Sequence, residues 1–260
     1  MGPRGYSGLA APGAGARVAI MPTRFTEIVV DSDTELMPIA RFWSTLLDWP
    51  ITYQAADEVC IKDEYVEIVF GPVPEPKTVK NRVHLDLASA SPAAQRDTVT
   101  RALDLGAKRI DIGQPADAPH VVLADPNGNE FCVLGEVPWI TGTGVLAAIT
   151  QDCADPAALG PFWSAATGRP IDRQTDTVTA MRLADGAGPW LALKRSADPK
   201  TVKNRIHLEV APYLGDDHAA EVDRLIALGA RHIDIGQGQT PWVTLADPQG
   251  NEFCVLTPRD

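Results

Sequence analysis

Two histidines stand in matching surroundings, His84 within Arg82-Val83-His84-Leu85-Asp86 and His207 within Arg205-Ile206-His207-Leu208-Glu209. Read at a period of two, each stretch is a strand with unlike faces. Arg82, His84 and Asp86 point one way, and Val83, Leu85 and Leu87 point the other. A histidine oriented by a carboxylate is the minimum apparatus for general acid–base chemistry near neutral pH. The same face, turned to water, would be a cross-strand ladder of charges with no chemistry. Both readings stand at this point, and the elements around the strand must separate them.

Those elements repeat. The segment from Lys77 to Ala88 returns as Lys200 to Ala211 with nine of twelve positions identical. Ala124-Asp125-Pro126-Asn127-Gly128-Asn129-Glu130-Phe131-Cys132-Val133-Leu134 returns as Ala246 to Leu256 with one change, and Phe42-Trp43-Ser44 returns as Phe162-Trp163-Ser164. A period of this length means duplication of a whole domain and not a solenoid. Within a repeat, a strand at Thr26–Asp31 precedes turn and helix-capping residues Asp31 to Thr34 and a helix over Glu35–Leu47. Short strands follow at Ile51–Gln54, Glu58–Lys62 and Tyr65–Phe70, then Arg82–Ala88. A second helix opens at Ser91-Pro92 and closes at Gly106. Strands at Arg109–Ile112, Val121–Ala124 and Glu130–Leu134 complete the order β-α-β-β-β, twice, with Asp125–Asn129 as a hairpin turn. Trp43 and Trp163, at helical spacing with Phe42 and Phe162, read as core. Lys77, Lys80, Lys200 and Lys203 read as solvated strand-edge lysines.

The chain of 260 residues carries a net charge of −11, which sets its overall field against a phosphate-backbone partner. No apolar run approaches the ~20 residues that cross a bilayer. Cys60, Cys132, Cys153 and Cys254 form no C-x-x-C pair and read as free thiols of a reducing cytosol. Residues 1–22, rich in Gly, Ala and Pro, lack the apolar core of a signal peptide. They read as a flexible tail, or as sequence ahead of a start at Met21.

A paired β-α-β-β-β unit ending in Asp-Pro-x-Gly-Asn, with a His-Leu-Asp strand upstream, resembles the vicinal-oxygen-chelate superfamily. That superfamily holds glyoxalase I, bleomycin-resistance proteins and extradiol dioxygenases. The Phe-Trp helix start and the Gly-Asn-Glu-Phe-Cys ending are similar to glyoxalase-like domains of actinobacterial type. The resemblance spans Thr23 to Thr257. It implies an α+β fold of two tandem domains, over 23–135 and 143–257 with a linker over 136–142. Each would be built from paired β-α-β-β-β modules curling into an eight-stranded sheet around a cleft. The two domains would pair within the chain as a pseudo-dimer.

For metal-dependent members the resemblance implies a His or Gln on the first strand, Glu on the fourth and eighth, and His on the fifth. His84 and His207 match the fifth-strand position. The eighth-strand position falls on Cys132 and Cys254, with Glu130 and Glu252 one pleat earlier, and neither first strand, read as Thr26–Val30 and Val145–Ile149, holds His or Gln. The expectation is therefore no family-type metal, with zinc, nickel and iron(II) as the ions the family would otherwise use. In the family the fifth and eighth strands are neighbours, which sets His84 across from Glu130 or Cys132, and His207 across from Glu252 or Cys254. The expected catalytic set is His84, Glu130, His207 and Glu252. Arg82, Asp86, Cys132, Arg205, Glu209 and Cys254 would line the ligand cleft, together with His120 and Trp242 at equivalent places before the seventh strand. The expected function is binding of a small antibiotic or metabolite without metal. The alternatives are a lyase or isomerase of glyoxalase type working through a His–carboxylate pair or an atypical metal site, and a pure interaction module.

Overall fold

In the strands the apolar and polar residues alternate as the pleat requires, and in four short helices the apolar residues recur at helical spacing. The computed structural model describes residues 23–260, so the expectations for residues 1–22 lie outside the described residues. The first repeat runs β1 (Arg24–Ser32), α1 (Leu36–Leu47), β2 (Ile51–Gln54), β3 (Val59–Lys62), β4 (Glu67–Pro72), β5 (Val83–Leu87), α2 (Pro92–Asp104), β6 (Lys108–Arg109), β7 (Val121–Ala124) and β8 (Glu130–Val133). The second runs β9 (Leu146–Cys153), α3 (Pro156–Thr167), β10 (Ile171–Gln174), β11 (Val178–Met181), β12 (Trp190–Arg195), β13 (Ile206–Ala211), α4 (His218–Ala227), β14 (Arg231–His232), β15 (Val243–Ala246) and β16 (Glu252–Val255). Among the described residues no helix is long and apolar enough to cross a membrane.

Two eight-stranded sheets result, ordered β14-β15-β16-β13-β1-β4-β3-β2 and β10-β11-β12-β9-β5-β8-β7-β6. Each combines one βαβββ unit from either repeat. The first sheet joins the first and fourth units through the antiparallel seam β1–β13, and the second joins the second and third through β5–β9. The strand pattern predicts the number of strands, but it is silent on this exchange. Because β1 and β9 are copies, either could cover the free edge of β5 or β13 and satisfy the same backbone groups. The exchange makes the two tandem domains an intrachain pseudo-dimer whose clefts each belong to both repeats.

The helices cover the apolar faces. Trp43 lies edge-on to Phe42 and Phe131, and Trp163 to Phe162 and Phe253. Their indole N–H groups donate to Asp125 Oδ2 at 3.1 Å and Asp247 Oδ2 at 3.2 Å. These aspartates open the hairpin turns, and Asp125 also accepts from the backbone N–H of Asn127 and Asn129. Gly128 and Gly250 take φ of 81° and 92°, as the turn requires. Burial pushes both aspartates up from the usual carboxylate range, and the converging donors work against it.

One expectation fails at the first helix. Asp31 to Thr34 do not cap α1, whose N-cap is Glu35 without a side-chain bond. Asp31 and Asp33 are drawn instead to Lys203 and Arg205 of the other repeat, since a paired charge gains more there than at a helix end. In the second repeat Asp155 does cap α3, accepting from the N–H groups of Ala157 and Ala158.

Candidate functional site

The first sheet carries a row of acidic and thiol side chains across four adjacent strands. Cys254 on β16 is level with Glu209 on β13, Glu209 with Glu27 on β1, and Glu27 with Glu67 on β4. Residues level with one another share a face of the sheet, so all four enter one cleft. His207, one pleat before Glu209, sets its Nε2 at 3.5 Å from Glu209 Oε1. His207, Glu209 and Cys254 each offer a ligand atom, all within 4.8 Å of one another. Burial, a hydrogen bond to Glu209 and the charge on Glu209 push the Glu27 carboxyl up to about 8, with Arg259 opposing. Burial also acts against ionised Glu209, but hydrogen bonds from His207 and Glu27 hold it below the usual range. Of the two carboxyls, Glu27 is thus the one that holds a proton more readily. Burial and the Glu209 charge hold Cys254 as a thiol. Tyr53 on β2 and Trp242 before β15 are exposed and in step with this face.

The second sheet repeats half of this arrangement. Its row reads Cys132, Asp86, Ala148, Trp190. His84 Nε2 lies 3.5 Å from Asp86 Oδ1, and His84, Asp86 and Cys132 also fall within 4.8 Å. Here, however, Thr150 donates its hydroxyl to Asp86 Oδ2 at 2.6 Å, and the first-strand position opposite Asp86 is Ala148. Burial pushes the Cys132 thiol up, aided by the Asp86 charge. His120 belongs to this cleft. Burial lowers its pKa, Lys194 and His84 lower it further, and Asp86 acts in the opposite sense. Beyond Thr150 the floor is small and apolar, with Ala192 and Ala180 where the first cleft has Val69 and Cys60.

His84 and His207 therefore meet carboxylates, but not the predicted ones. Glu130 binds Lys77 Nζ at 2.7 Å and the backbone N–H of Asn81 at 3.1 Å, and Glu252 binds Lys200 and Asn204 at the same two distances. A lysine ammonium together with a backbone N–H outcompetes an imidazole for one carboxylate. Arg82 and Arg205 precede their strands and leave the cleft. Arg82 donates to Asn251 Oδ1 at 3.0 Å and to the carbonyls of Asp152 and Asp198, while Arg205 reaches Glu75 O and Asp33. The lysines are not solvated edge residues either: Lys80 pairs with Asp152 at 2.6 Å and Lys203 with Asp31. The two Lys-Thr-Val-Lys-Asn-Arg segments face each other across a cavity of about 960 Å³ and tie the repeats together. Their near identity reflects one clamp used twice.

Glu27, Glu67, Thr150 and Trp190 were not predicted. The sequence signal for Glu27 is a lone acid inside the β-branched run Thr26–Val30, on the strand where the family pattern calls for His or Gln.

Comparison with known proteins agrees with this architecture. No curated protein matches the chain. Glyoxalase I from Zea mays superposes with a TM-score of 0.65 at 13% identity, covering 90% of this chain and 92% of that one. A putative dioxygenase from Bacillus subtilis superposes with a TM-score of 0.59 at 11% identity, covering 92% and 85%. At such identities the likeness shows the fold alone. The profile of the glyoxalase-like domain matches twice, over residues 27–134 and 148–256. The chain belongs to the glyoxalase-like domain family and carries that domain in tandem.

Proposed function

We propose that the cleft of the first sheet is the working site, and that the protein is a lyase or isomerase acting there on a small molecule with adjacent oxygens. The observation that carries this reading is the row Cys254–Glu209–Glu27–Glu67 with His207 beside it. The family implies a divalent metal, and these residues fit one. Imidazole, carboxylate and thiol converge within 4.8 Å, a donor set suited to zinc and compatible with nickel or iron(II). Glu27, outside that group, lies level with Glu209 on the first strand and hydrogen-bonds it, and so would support the ligand carboxylate from behind. A divalent ion held there would supply Lewis-acid polarisation of a substrate oxygen.

The chain's own residues do the rest. Glu209 orients the His207 ring through Nε2. Glu67, at the far end of the row and paired only loosely with Lys62 at 3.8 Å, is the carboxylate left to accept a proton from substrate. Tyr53 and Trp242 flank the opening and give an organic ligand apolar surface on either side. In the second cleft Thr150 occupies Asp86 and Ala148 stands in the place of Glu27, so that cleft lacks the supporting carboxylate.

Elemental analysis after loading with zinc, nickel or iron(II) tests the reading. One ion per chain is expected, lost in His207→Ala and kept in His84→Ala. An ion that follows His84 instead would place the site in the second cleft, and no ion in the wild type would remove the metal. The second reading, a metal-free binder, is favoured by the buried Cys254 thiol, which a metal would have to deprotonate. In that case ligand-induced thermal stabilisation would persist in chelator.

A further inference from the structure

The linker after β8 does not run straight to β9 but lies along the cleft face of the second sheet. Ile140 packs on Ala148, Ala180 and Trp190. Trp139 sets its ring edge-on to Trp190, with centroids 5.2 Å apart. The Arg173 guanidinium lies 4.7 Å from the centre of the Trp139 ring, and that of Arg182 lies 4.5 Å from Trp190. Arg173, Arg182 and Lys194 are in step with Ala180 and Val178, so three cations converge on this half of the cleft. The seat is nevertheless imperfect. Trp139 stays 38% exposed, while the Trp190 indole N–H is buried without an acceptor. Buried donors are almost always satisfied, so the unpartnered Trp190 N–H beside the part-exposed Trp139 marks a seat that the strap does not complete. Gly142 and Gly144, at φ of 72° and 69°, bend the strap near its C-terminal end.

We propose that this half of the second cleft is a binding pocket for a planar aromatic anion, and that the linker, through Trp139, is its intrachain occupant. Small side chains, Ala148, Ala180 and Ala192, form the floor beneath Ile140. Trp190 offers an edge-to-face partner and an N–H donor, and Arg173 offers a guanidinium that stacks on a ring and neutralises a carboxylate, while Arg182, tied to Asp172 and to the carbonyls of Thr141 and Gly186, backs Trp190. A ligand of this class takes the place of Trp139 and supplies the acceptor that Trp190 lacks. The pocket is separate from the His84 cluster and stands whether or not the first cleft is catalytic.

The test uses the full chain with 2-naphthoate as probe. Because the wild type must lift its linker before binding, Trp139→Ala is expected to bind 2-naphthoate about ten-fold more tightly by calorimetry. Ile140→Ser, which loosens the strap and keeps the ring, is expected to move affinity the same way by less. It serves as the test if Trp139→Ala does not fold. Adding Ala180→Leu fills the floor and is expected to abolish the gain. In the wild type, 2-naphthoate is expected to speed chymotryptic cleavage after Trp139. Affinity unchanged or weakened in the linker variants would overturn the proposal, as would a gain that survives Ala180→Leu. Cleavage that naphthoate slows would show that the linker stays seated, and would overturn it too.

Discussion

The two clefts of this chain are half alike and half unlike, and the dividing line follows the sheets' seams. From the second unit of each repeat come His84, Asp86 and Cys132 on one side and His207, Glu209 and Cys254 on the other, nearly superposable sets. From the first unit come Glu27 and Glu67 in one cleft, but Ala148 and Trp190 in the other. Because the repeats exchange strands, each cleft pairs a constant half with a variable half. The constant half is also the more heavily tied: its turn aspartates hold the tryptophans, and its lysine–arginine loops clamp the other repeat. The positions that repeat most faithfully are therefore mostly scaffold, and the chemistry is decided on β1, β4, β9 and β12.

If the constant half is scaffold, damage to it should be large and the same in both repeats. Asp125→Ala would orphan the Trp43 indole and two backbone donors, and Asp247→Ala would orphan Trp163, the Asn251 and Gln249 backbone donors and the Gln151 amide. Each should cost roughly 3 kcal/mol in urea unfolding, with Asp247 the larger. A difference of several kcal/mol between them would break the symmetry argued here. The variable half should behave in the opposite way. Glu27→Ala should weaken zinc binding about 10- to 100-fold by calorimetry, the loss typical of a residue that supports a metal site, while His84→Ala should leave it unchanged. The clamps come next. Lys80→Ala and Lys203→Ala should each cost about 1 kcal/mol, since the lysines are half-exposed but leave Asp152 and Asp31 buried without a cation.

Much of this was legible in the sequence because duplication prints every element twice. The strand at His84, the hairpin at Asp125–Asn129 and the helix at Phe42-Trp43 each have a local cause: a two-residue period, turn-forming Asn-Gly, and apolar spacing. The exchange of strands was not legible, because equivalent edges carry equivalent sequence. Nor were the partners of Glu130, Arg82 and Lys80. Each side chain had the right parity for its expected role, but loops distant in sequence brought a stronger partner. The strand at Arg109–Ile112 shrank to Lys108–Arg109, since only two residues find ladder partners in β7. Trp139 read as part of a connector by composition, and its place on the cleft face comes from the alanines of another unit.

The smallest change expected to matter is one that makes the first cleft resemble the second. Val29 is level with His207 on the seam of the first sheet, and its counterpart Thr150 is level with His84 and donates to Asp86. Val29→Thr is close to isosteric, so its fold should tolerate the change. The new hydroxyl would lie within reach of Glu209 and offer it a neutral donor, as Thr150 does for Asp86. A carboxylate oxygen that accepts from a hydroxyl is a poorer ligand, because metal binding must then break that bond. Zinc affinity should fall a few-fold, less than in Glu27→Ala, with unfolding free energy within about 1 kcal/mol of wild type. Thr150→Val should not by itself create a site in the second cleft, since Ala148 still leaves Asp86 without a supporting carboxylate. Stoichiometric zinc in Thr150→Val would instead mean that one hydroxyl, and not the missing carboxylate, separates the two clefts.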